Sequence, residues 1–79
     1  MNEHFATVLA EVFDLRKSDI HLELKKSDVG TWDSLKQMDL VLTLEKEYNI
    51  TLNIPDILKM VSVTTIAQVL RDKGVKLED

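Results

Sequence analysis

Apolar positions along the chain fall into stretches of helical period, separated by segments where that period fails. The first stretch carries Phe5, Val8, Leu9, Val12 and Phe13 at i, i+3, i+4, i+7 and i+8, one stripe facing a core, with Asn2 placed to cap its start. This spacing predicts a helix over about residues 3–15. From Arg16 to Asp33 the period is lost: Ile20, Leu22 and Leu24 alternate with polar residues, and Ser27-Asp28-Val29-Gly30-Thr31 reads as a turn. Connections of this length are uncommon in compact domains and often functional. Here the segment reads as a long, partly anchored loop that delivers the chain to Ser34.

A second helix is predicted over residues 34–48, with Thr31, Asp33 and Ser34 offering side-chain oxygens to cap it. Leu35, Met38, Val41, Leu42 and Tyr48 form its expected inward stripe, which Leu40 and Leu44 broaden enough to touch more than one neighbour. It is therefore read as the central helix, interrupted by Asn49 and the β-branched Ile50-Thr51. A short third helix, about 55–61, follows Asn53, with Pro55 in its first turn, Asp56 favoured by the helix dipole, and Ile57, Leu58, Met60 and Val61 expected inside. It is too short to be stable alone. The last helix, about 64–73, starts near Ser62 or Thr64, buries Ile66, Val69 and Leu70, and stops at Gly74 after Arg71 and Lys73. Val75–Asp79 is expected to fray. The predicted fold is all-α: a small four-helix bundle with a long loop between helices 1 and 2 and a short helix 3, the whole of 1–79 forming one domain.

Length makes that core a demanding one, since a domain of 79 residues buries only ~60% of its unfolded surface. Apolar residues make up 44%, charged residues 30%, and there are 2 Gly and 1 Pro, a balance that excludes a disordered chain. Without cysteine, neither disulfides nor a zinc knuckle staple the fold, so packing must hold it. The chain opens Met1-Asn2-Glu3-His4, unlike a secretory signal, and no apolar run approaches the roughly 18 residues of a membrane span. A cytoplasmic location and a monomer are expected. The net charge of −4 gives no footprint for nucleic acid and favours basic-faced partners. Charge is uneven: residues 1–24 hold five acids and two bases, residues 34–48 three acids and two bases.

Candidate chemistry concentrates at Ser34. A hydroxyl in the first turn of a helix meets the positive end of the dipole and unpaired backbone N–H groups, so a phosphate attached there is stabilised. Ser and Asp also cap helices routinely, and on these grounds alone an ordinary cap is the simpler reading. His4 and His21 lie in different segments without a fixed partner, and no Gly-x-Ser-x-Gly elbow surrounds Ser34, so a hydrolytic Ser34–His21 pair is disfavoured. Asp14, Asp19 and Asp28 lack the spacing of a calcium loop, and Lys25-Lys26 reads as solvated loop. No catalytic residue and no metal site is assigned.

The order Asp33-Ser34-Leu35, opening an amphipathic helix that closes on Leu44-Glu45-Lys46-Glu47-Tyr48, resembles the acyl carrier protein family. The resemblance spans nearly the whole chain, from the N-terminal helix through the long loop to Met60-Val61-Ser62-Val63 leading into the last helix. It reverses the balance between cap and attachment site. It implies a 4′-phosphopantetheine arm on Ser34, installed by a phosphopantetheinyl transferase, whose thiol holds an acyl group as a thioester. The protein is then a carrier without catalytic activity, presenting cargo to acyl-transferring, adenylating or condensing enzymes. Asp33 supports the modification, and Leu35 and Met38 contact partners beside the arm or line a groove for the cargo; core packing is the competing role for both. Aminoacyl or peptidyl carriage, and an unmodified helical interaction module of the same fold, are the alternatives.

The family's housekeeping fatty-acid members have a strongly acidic second helix. Here Lys36 and Gln37 stand where acidic or small polar residues are usual, Lys46 interrupts the later acids, and Asp39, Glu45 and Glu47 match the pattern. Trp32 replaces a smaller residue before the aspartate. Lysines on a docking face repel partners evolved for uniform acidity. The resemblance therefore implies a specialised carrier, with Lys36, Met38, Asp39, Glu45 and Lys46 as its partner-binding residues.

Overall fold

The computed structural model describes residues 1–77. Among them are four α-helices and no strand: α1 (Glu3–Phe13), α2 (Ser34–Tyr48), α3 (Ile54–Lys59) and α4 (Val63–Asp72). Each helix start is capped as the local sequence dictates. Asn2 Oδ1 accepts the Phe5 N–H at 2.9 Å, and Ser62 Oγ accepts the Thr65 N–H at 3.1 Å. At α3, Asn53 and Asp56 exchange two reciprocal bonds of 3.0 Å each, from backbone N–H to side-chain oxygen.

The helix ends fall short of the expected positions at α1. Asp14 adopts a left-handed conformation (φ 58°), its successor Leu15 bonds back to the Ala10 carbonyl at 2.9 Å, and the helix stops two residues before the expected 15. Asn49 (φ 53°) ends α2 by the same device, with Ile50 N–H on the Glu45 carbonyl. Asp and Asn tolerate this conformation better than other residues with a β-carbon. At α4 the turn belongs to Gly74, whose φ of +88° favours glycine.

The core gathers the expected stripe of α1, widened by Ala6 and Ala10, with Val63, Ile66, Ala67, Val69 and Leu70 of α4. In α2 the buried face differs from the expected one. Leu40, Val41 and Leu44 are buried together with Gln37, whereas Leu35, Met38 and Leu42 are 82%, 48% and 62% exposed. Two apolar stripes overlap on this helix, and the inward one begins with a polar residue, which hides it from a reading by hydropathy. α3 ends at Lys59, short of the expected 61; Ile57 packs against the core and Met60, just past the helix, is wholly buried, but Leu58 and Val61 likewise face outward rather than in. Val75 and Leu77 pack on the core instead of fraying, because the Val75 N–H returns to the Leu70 carbonyl at 3.0 Å. The last two residues of the expected frayed tail lie outside the described residues.

The long loop is anchored throughout. Ile20, Leu24, Val29 and Trp32 are buried, and Leu22 is exposed. Two single 3₁₀ turns, Lys17–Asp19 and Lys26–Asp28, shape it. Backbone bonds from Lys26 N–H to the Val61 carbonyl and from Val63 N–H to the Leu24 carbonyl, both 2.9 Å, sew its middle to the segment joining α3 and α4. Lys25 and Lys26 thus belong to a fixed stretch. At its end Thr31 Oγ1 donates to the Phe13 carbonyl at 2.9 Å, fastening the approach to Ser34 onto the end of α1.

Candidate functional site

Ser34 is the first residue of α2, exposed, and its hydroxyl makes no hydrogen bond with the described residues. The cap is Asp33, in extended conformation, whose carboxylate accepts the Lys36 N–H at 2.8 Å while its carbonyl accepts the Gln37 N–H at 2.9 Å. Helix geometry then leaves the N–H groups of Ser34 and Leu35 without an intrahelical acceptor. Asp33 therefore does the capping, Thr31 ties the loop to α1, and the Ser34 hydroxyl is left available to an external group.

Beside this turn lies an open groove of about 600 Å³ between the end of α1 and α2. Leu35, Met38 and Leu42 give it an apolar side; Asp14, Thr31, Asp33, Lys36 and Asp39 give it a polar one. The leucines and methionine missing from the core are thus gathered here. The Lys36 ammonium sits 3.6 Å from Asp14 and 3.8 Å from Asp39, its side chain only 22% exposed. That cation offsets the negative charge that the two carboxylates bring to the groove.

The structure brings together five of the residues singled out from sequence, Asp33, Leu35, Lys36, Met38 and Asp39, at one groove flanking Ser34. Glu45 and Lys46 lie elsewhere, roughly three turns along α2 at 1.5 Å per residue. Glu45 turns inward and accepts the Leu52 N–H at 2.9 Å, while Lys46 is exposed with no ion pair among the described residues. His4 pairs with Glu47 at 3.0 Å, and His21 is exposed in the loop with no bond to Ser34. Burial lifts the phenol of the neighbouring Tyr48 above its ordinary pKa, helped by the Glu47 carboxylate.

Two residues near Ser34 have roles that hydropathy conceals. Trp32 is 3% exposed and lies on Phe13 with ring centroids 4.4 Å apart. Its indole N–H donates to Gln37 Oε1 at 2.6 Å, and Gln37 Nε2 donates to the carbonyls of Ile57 and Met60 at 3.1 Å each. Gln37 is therefore not on a docking face. The signal for it in the sequence is its place at the head of the stripe Gln37, Val41, Leu44, Tyr48, with an indole donor five residues earlier.

A helix start that keeps an unengaged hydroxyl, two free N–H groups and an apolar groove alongside fits a phosphate-linked organic arm. Residues 3–77 match the family model described as phosphopantetheine attachment site. The chain belongs to this family. It is similar, too, to the solution structure of a holo acyl carrier protein from Geobacter metallireducens, with a TM-score of 0.80 and 26% identity over 91% of this chain and 83% of that one. No curated protein sequence matches it significantly. Family and fold make this protein a phosphopantetheine-bearing carrier rather than a catalyst, with the acyl carrier fold of four helices. Among the described residues no helix is long and apolar enough to cross a membrane.

Proposed function

We propose that Ser34 is the attachment point and that residues 1–79 form an acyl carrier domain of a specialised fatty-acid, polyketide or secondary-metabolite pathway. The observation that carries the first part is the division of labour at the start of α2: Asp33 caps the helix, so Ser34 is spared. In loading, Ser34 Oγ attacks a phosphorus of coenzyme A, a new O–P bond forms, and the phosphoanhydride bond breaks. The nucleotide part of coenzyme A leaves, and the serine proton passes to a base of the transferase. Once bound, the arm supplies a thiol that carries the cargo as a thioester. The chain's own residues do the rest. The dipole and the N–H groups of Ser34 and Leu35 favour the phosphate's charge. Leu35, Met38 and Leu42 offer apolar surface to whatever approaches the serine.

Specialisation rests on charge. Lys36 is bound up with Asp14 and Asp39, and Lys46, exposed on α2, makes no ion pair among the described residues, so this helix presents mixed charge rather than a uniform acidic face. Partner enzymes are the phosphopantetheinyl transferase and acyl-transferring, adenylating or condensing enzymes whose docking surfaces accept that mixture. Fragment mass spectra of the chain isolated from its own cells test the assignment: the arm is expected on Ser34, and an arm on any other residue overturns it.

A further inference from the structure

Gln37 is the one buried polar side chain among the described residues, at 8% exposure, and it spends its hydrogen-bonding groups on three partners from two parts of the fold. Burying an amide is unfavourable unless it is bonded, and an apolar side chain of similar size would fill the space but strip the Trp32 N–H and the Ile57 and Met60 carbonyls of the bonds Gln37 makes. The reason for a glutamine here is therefore those bonds, not packing alone. Its amide orientation follows from its partners: the oxygen must face the Trp32 N–H and the nitrogen the two carbonyls, since the reverse sets donor against donor and acceptor against acceptor.

The partners share a relation to Ser34. Trp32 lies two residues before it, and Gln37 lies one turn after it on α2. The carbonyls of Ile57 and Met60 belong to the end of α3, a helix of six residues too short to hold its own position. One side chain thus clamps the approach to Ser34, the first turn of α2 and the end of α3 into a single arrangement.

We propose that Gln37 is a positioning residue for the loading of Ser34, acting through Trp32 to fix where the serine hydroxyl stands when the transferase brings up coenzyme A. This inference rests on Ser34 being the attachment point. In-line attack needs the oxygen placed to within a fraction of an ångström, and misplacement by about 1 Å costs up to roughly a hundredfold in rate. Loosening the clamp lowers the turnover of loading, while the surface met by the transferase, and with it KM, stays nearly the same.

Two variants cut the clamp at different points. Trp32→Phe keeps a ring on Phe13 but removes the N–H donor and leaves Gln37 on α3; Gln37→Met keeps volume and removes all three bonds. Val69→Ala, in the buried face of α4, serves as the control for lost stability alone. Each chain is incubated with coenzyme A, magnesium and a phosphopantetheinyl transferase, and loading is followed by intact mass; the amide resonances of Ser34 and Leu35 are recorded by NMR in the unloaded chains. Both clamp variants should lower kcat about tenfold or more with KM within about twofold of wild type, and should move the two amide resonances. Val69→Ala should unfold at lower temperature yet load with wild-type kcat and unmoved resonances. If Gln37→Met does not fold, Trp32→Phe decides. Wild-type kcat and unmoved resonances in folded Trp32→Phe, a rise in KM alone, or an equal loss in Val69→Ala overturns the positioning role while leaving Ser34 as the attachment point. A wild-type chain that loads elsewhere than Ser34 overturns both.

Discussion

The ammonium of Lys73, just past α4, lies 2.7 Å from the carboxylate of Asp56 in the first turn of α3, and this pair fastens the shortest helix to the last one. The Lys73 hydrogen bond, followed by the backbone N–H of Asn53, holds the Asp56 carboxyl below the usual aspartate range. A carboxyl depressed on folding contributes stability above its unfolded pKa of about 3.9 and loses it as pH falls through the lower folded value. Asp56→Asn should therefore unfold at lower temperature than wild type near neutral pH. The gap should close as pH drops from about 4 into the acid range where Asp56 protonates. Thermal unfolding of both chains across pH checks this; a gap that stays constant down to acid pH contradicts it.

The two faces of α2 predict opposite responses to the same substitution. Leu40 and Leu44 are wholly buried, and truncating such a leucine to alanine costs about 2–5 kcal/mol. Leu42, at 62% exposure, lines the groove instead, and Leu42→Ala should change stability by about 0.5 kcal/mol or less. Denaturant unfolding measures both. Equal losses at Leu40 and Leu42 would mean that the inward face of α2 is misassigned.

Helix 1 and helix 4 were legible because their apolar residues form one stripe each and Asn2 and Ser62 are strong caps. The face of α2 was not, since Leu35, Met38 and Leu42 compete with Leu40, Val41 and Leu44, and hydropathy cannot tell a groove from a core. Gln37 compounded this: a polar residue heads the inward stripe because a buried indole and two carbonyls need it. The end of α1 was blurred for a related reason, as Asp14 takes the left-handed turn that glycine usually signals; Asn49 does the same at the end of α2, where the sequence already marked it. At the site, the helix start and its serine could be read from physics, but a capping serine looks the same until Asp33 is seen to cap in its place.

Charge on α2 gives a third prediction. Replacing Lys36 and Lys46 with Glu makes the helix more uniformly acidic, and acyl transfer onto the loaded double variant by a general fatty-acid synthesis transferase should be faster than onto wild type at low salt. Rim charges act mainly on association rate, so the gain should fade as salt is raised. Lys46→Glu alone isolates docking, because Lys36→Glu also sets a third carboxylate between Asp14 and Asp39. Equal transfer at every salt concentration, with wild type already a good substrate, contradicts a selective role for these lysines.

The central claim, that Ser34 receives the arm, is tested most directly by intact mass after incubation with coenzyme A, magnesium and a permissive phosphopantetheinyl transferase. Wild type should gain the mass of one phosphopantetheine, and Ser34→Ala, which leaves the Asp33 cap and the core untouched, should fold normally and gain none. Labelling that survives Ser34→Ala, or a folded wild-type chain that never labels, would contradict it.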